Sequence, residues 1–73
     1  MTYWGLDGER PVSIREIAEA SGYSHRFIRI AVKRDHDALP CILKGKRNIA
    51  LIRPRVFHEW LEREEHRVKE AFT

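Results

Sequence analysis

Residues 13–33 constrain this chain most: two serine-led helical stretches with one glycine between them. Ser13 precedes Ile14-Arg15-Glu16, and a glutamate three residues after a serine makes a capping box, each side chain bonding the other's backbone N–H. The spacing predicts a helix from Ile14 to Ala20, with Ile14, Ile17 and Ala18 on its apolar side and Arg15, Glu16 and Glu19 in water. Ser21-Gly22-Tyr23 ends it, because glycine suits the left-handed position just past a helix. Ser24 caps a second helix, running to Lys33. There Ile28, Ala31 and Val32 share one stripe with Phe27 beside it, while His25, Arg26, Arg29 and Lys33 recur on the opposite side at spacings of three and four. A short helix, a glycine turn and a second helix with a basic outer face follow the helix-turn-helix plan, whose second helix enters a DNA major groove.

The rest of the chain suits that plan. Asp35-His36-Asp37-Ala38-Leu39-Pro40 reads as a loop. Cys41-Ile42-Leu43 and Asn48 to Ile52 lean towards strand, and Lys44-Gly45-Lys46-Arg47 turns between them, predicting a two-stranded hairpin with a cationic tip. Such a tip suits a wing that reaches phosphates or a minor groove beside the helix. Pro54 fits a first helical turn, and Val56, Phe57, Trp60 and Leu61 then recur at helical spacing as core residues closing over the first two helices. Residues 1–11 carry no helix signal and read as an irregular arm whose aromatics fold onto the core. Residues 66–73 read as a charged tail, and if helical they continue a thin apolar stripe from Leu61 through Val68 and Phe72. The expected fold class is therefore α+β: a small winged helix-turn-helix with three helices and a two-stranded wing, occupying residues 12–65.

Charge is placed unevenly. Residues 1–23 carry a net −2, residues 24–55 a net +7 and residues 56–73 a net −2. A basic middle between acidic ends suits one face meeting a polyanion. The single cysteine, Cys41, has no partner for an internal disulfide or a zinc pair, and is expected as a buried thiol acting as a small hydrophobe. His25, His36, His58 and His66 are scattered without a matched nucleophile or acid, so neither an enzyme nor a cofactor is expected. No apolar run approaches the roughly 20 residues that span a membrane, and no basic-then-apolar leader begins the chain, so the expected location is the cytoplasm.

The capped helix, glycine turn, Ser-X-Arg-X-Ile helix, Leu-Pro, hairpin with a Gly-Lys-Arg turn, and proline-started helix with Phe-X-X-Trp-Leu resemble the winged-helix excisionase family. That family lies within the group of winged helices similar to mercury-resistance-type regulators. The resemblance covers roughly Val12 to Glu65. Two features depart from it: Arg34 to Ala38 makes a longer loop before Leu-Pro, and Tyr23 stands where a small aliphatic residue is commoner. The resemblance implies a small accessory factor that binds double-stranded DNA, bends it, and contacts a tyrosine-recombinase integrase, directing it towards excision of a mobile element or prophage. The integrase contact is expected through the C-terminal region, and the protein as a monomer in solution whose copies cooperate on DNA. An alternative with the same DNA chemistry is a small transcriptional regulator of a mobile element. Within either, Arg26 and Arg29 suit base reading, because a guanidinium can bond guanine O6 and N7 together. Ser24 and His25 fall near phosphate at the helix start, and Lys33, Arg34 and Lys44 are assigned to phosphates. Lys46 or Arg47 probes the minor groove.

Overall fold

The computed structural model describes the backbone of residues Met1 to Phe72 and the side chains through Glu65. Among these residues the chain forms three helices and two small antiparallel sheets. In chain order the elements are β1 (Thr2–Tyr3), β2 (Leu6–Asp7), β3 (Val12–Ser13), α1 (Ile14–Ser21), α2 (His25–Lys33), β4 (Ile42–Lys44), β5 (Ile49–Ile52) and α3 (Pro54–Phe72).

Both serine caps form. Ser13 Oγ accepts from the Glu16 N–H at 3.1 Å, and Ser24 Oγ accepts from the Phe27 N–H at 3.1 Å, each satisfying a donor that the first helical turn leaves open. Gly22 stands at φ +85° and its N–H bonds the Ala18 carbonyl at 3.0 Å, so the chain reverses within a few residues and α2 crosses α1. Ile17, Ala18, Ile28 and Ala31 are buried between them, as the helical spacing predicts. Phe57, Trp60 and Leu61 of α3 close the same core, with Leu39 and Ile52 beside them.

Trp60 ties three segments together. Its ring lies 6.1 Å from Phe27 and 6.4 Å from Phe57, and its indole N–H donates to the Asp37 carbonyl at 2.9 Å. The loop after α2 is thereby pinned to α3. A bond from the Leu39 N–H to the Ala31 carbonyl, 2.9 Å, holds its other side.

Three expectations are corrected. The sheet that holds the expected hairpin has three strands in the order β3-β5-β4, because Val12 and Ser13 pair with Ile52 and Leu51 before the chain enters α1. Second, residues 1–11 are no irregular arm. Tyr3 and Leu6 pair across a two-residue turn, with Trp4 at φ 54° and Gly5 at φ 79°, so both turn residues occupy the left-handed region a tight hairpin turn requires. The aromatics do fold onto the core: Trp4 packs on Phe57 at 5.5 Å and Tyr3 on His58 at 4.9 Å. Third, Cys41 is half-buried instead of fully buried. The backbone of α3 runs on past residue 65 to Phe72, while the side chains of the proposed stripe at Val68 and Phe72 lie outside the described residues.

The N-terminal hairpin is fastened to the start of α3. The Arg55 N–H bonds the Gly8 carbonyl at 3.1 Å, Arg53 Nε donates to the Glu9 carbonyl at 3.2 Å, and the Arg55 guanidinium pairs with the Glu9 carboxylate. That hydrogen bond from Arg55 holds the Glu9 carboxyl below its ordinary value, partial desolvation opposes it, and the charges of Arg55 and Arg53 add to the lowering. A carboxylate whose pKa is depressed on folding contributes stability that is complete above its unfolded value and disappears as pH falls through the folded one. The contribution is small, since the pair is exposed to water and screened by salt. Glu9→Gln is therefore expected to lower stability at neutral pH and to lose less than the native chain below the usual carboxylate range. Urea melts across that range check it: parallel acid limbs for the two proteins would remove the pair from the account.

Candidate nucleic-acid interface

Among the described residues the fold pairs four cations with carboxylates and leaves the others without one. Arg15 pairs with Glu19 at 3.5 Å, Arg34 with Glu64 at 2.9 Å, Arg55 with Glu9 and Glu59, and Arg63 approaches Asp37 at 3.9 Å. Arg26, Arg29, Lys33, Lys44, Lys46 and Arg47 are exposed and have no carboxylate partner among the described residues. All six belong to α2 or to the β4–β5 hairpin, while Arg10 and Arg53, which also lack a carboxylate partner, lie elsewhere and Arg53 bonds the Glu9 carbonyl. The charge of the six is not compensated inside the protein, so it is available to an outside anion.

On α2 the reason is periodicity. The core takes Ile28 and Ala31, which turns Arg26 and Lys33 outward, with Arg29 on one flank and Ile30 on the other. His25, Arg26, Arg29, Ile30, Lys33, Arg34 and Asp35 together line a shallow open depression along the helix. On the hairpin, Gly45 at φ 79° and Asn48 at φ 52° bracket the turn, and the Asn48 N–H bonds the Gly45 carbonyl at 3.2 Å. Lys46 and Arg47 therefore project at the tip, with Lys44 at the end of β4. A groove joins the two elements: Arg29, Val32 and Lys33 form its helix side, and Cys41, Leu43, Asn48 and Ala50 its sheet side. Arg29 and Lys33 border both the outer depression and this groove, so the groove connects the cationic face of α2 to the sheet that carries the hairpin.

Two residues expected on this surface are already engaged. Ser24 sits at the start of α2, but its hydroxyl oxygen serves as the helix cap, leaving only its proton for an outside acceptor. Arg34 stands apart more decisively. Its guanidinium bonds Glu64, and it lies 5.5 Å over the Trp60 ring with its side chain 27 % exposed. It fastens the C-terminal end of α2 to α3, and assigning it to a phosphate is not what this geometry favours. The loop bends the chain so that Arg34 meets a residue thirty positions away, which no local pattern encodes.

Ile30 was missed from the sequence. It is 55 % exposed on one flank of the cationic face. The available signal was its position four after Arg26 and three before Lys33, a spacing that places it on the outer side and not on the Ile28–Ala31 stripe.

The arrangement offers fixed positive charge and hydrogen-bond donors along a ridge and a tip. Among the described residues no helix is long and apolar enough to cross a membrane. Comparison with protein-family models, with curated proteins and with solved structures finds no match to this chain.

Proposed function

We propose that this chain is a winged-helix protein that binds double-stranded DNA sequence-specifically, with α2 in the major groove and the β4–β5 hairpin as the wing. The observation that carries the reading is the segregation of charge: of the eight cations without a carboxylate partner among the described residues, six fall on these two elements, and a shared groove joins them. A partner that rewards a cationic ridge and a cationic tip side by side carries regular negative charge on two neighbouring surfaces, which is what a duplex backbone presents. On the resemblance of its motifs to excisionases, the proposed role is an accessory factor that bends DNA and directs an integrase towards excision.

Binding to duplexes selected from a random pool, measured by fluorescence anisotropy over a range of salt, tests the DNA reading. With about six phosphates neutralised, log affinity is expected to fall against log salt with a slope near −5. Lys46→Ala with Arg47→Ala should weaken binding to every sequence and flatten that slope by about 2, since each lost phosphate contact removes about 0.9. An unchanged slope would take the hairpin out of the interface. A gel shift with integrase present tests the role: cooperative binding supports an excision factor, and independent binding favours a transcriptional regulator.

A further inference from the structure

We propose that Ile30 is a specificity-determining residue that reads the C5-methyl group of a thymine in the major groove; the inference rests on the DNA reading above. Among the described residues the core does not call for isoleucine at this position. The side chain is 55 % exposed, outside the core formed by Ile28 and Ala31, and a β-branched residue is a poorer helix former than the alanine, lysine or glutamate that would serve on a wet face. An isolated exposed aliphatic residue is ordinary on a protein surface. What sets Ile30 apart is its company. It lines the depression along α2 together with Arg26, Arg29 and Lys33, on the flank of the cationic face opposite Arg29.

A polyanion alone gives an aliphatic side chain there no partner. The major groove does, because thymine places a methyl group on the same edge where guanine presents O6 and N7. Isoleucine also suits the task mechanically. Its χ1 is stiff in a helix, so little side-chain freedom is lost when it meets the methyl. Its placement fixes where the thymine should be. Ile30 follows Arg26 by four residues, about 6 Å along the helix axis and about 40° around it. Base pairs are spaced about 3.4 Å apart, so the thymine falls one or two base pairs from the guanine that Arg26 contacts.

The test removes one methyl group and nothing else. Duplexes selected by the full chain are resynthesised with deoxyuridine at each thymine in turn, and affinities are measured for the native protein and for Ile30→Ala. Alanine is a strong helix former and the position is exposed, so the variant is expected to fold, with circular dichroism as the check. The expected result is one position, one or two base pairs from a guanine, where deoxyuridine weakens native binding about fourfold, the equivalent of about 0.8 kcal/mol for one buried methyl. Ile30→Ala should show no such difference there. If the native protein selects a sequence but no thymine-to-uracil change matters, or if Ile30→Ala discriminates equally, the role of Ile30 is wrong while the DNA reading stands. If no sequence is selected at all, the DNA reading itself fails, and this inference with it.

Discussion

Trp60→Ala is expected to leave the domain largely unfolded at room temperature. The indole is 1 % exposed, packs against Phe27 and Phe57, and carries Arg34 over its ring. Truncating a buried tryptophan costs about 3–5 kcal/mol in lost transfer energy and residual cavity. A single core in a chain of this length supplies only about 3–5 kcal/mol in total. The two figures are comparable, so the variant should lose its cooperative thermal transition in far-ultraviolet circular dichroism. Trp60→Phe separates packing from hydrogen bonding. It keeps an aromatic ring between Phe27 and Phe57 but removes the donor to the Asp37 carbonyl, at a cost of about 1–3 kcal/mol. It should fold with a lowered midpoint. A cooperative Trp60→Ala melt within a few degrees of the native protein would show that the tryptophan does not hold the three segments together.

Arg29→Ala should separate specific from nonspecific DNA binding more than any other single change on α2. The Arg29 side chain borders both the outer depression and the groove towards the hairpin, and no carboxylate among the described residues competes for it. A bidentate contact to guanine is worth roughly 1–3 kcal/mol of discrimination, or roughly 5- to 150-fold. Affinity for a selected duplex should fall by a factor in that range. Affinity for random duplex should fall only by the share of one charge. Titrations of both duplexes at one salt concentration decide it, and equal losses would assign Arg29 to a phosphate. Arg34→Ala makes a useful contrast. Its guanidinium is held by Glu64 and Trp60, so its loss should register first as reduced stability.

Legibility followed the length scale of each interaction. Ser13, Gly22 and Ser24 announce helix ends because capping bonds span two to four residues, and the sequence carries both partners within one short window. The basic face of α2 and the burial of Phe57 and Trp60 were readable for the same reason, since a helix returns to one face every three to four residues. The cationic hairpin was readable from its glycine turn, with its strand ends shifted by a residue.

The tertiary structure decided the remainder. Strands of two residues are too short to show alternation, so β1, β2 and β3 left no periodic trace. Trp4 takes a left-handed turn position that its own preference disfavours, and its ring packs on Phe57, more than fifty residues away. Arg34 reads as one more cation of the basic stretch until the fold brings Glu64 and Trp60 to it. Ile30 reads as one more apolar residue until the core is filled without it. By itself, then, the sequence determined where the helices begin and end and which side of α2 is charged, because those are contests among near neighbours. Which cations stay unpaired, and which apolar side chain stands among them, was decided only when segments far apart in the chain competed for the same partners.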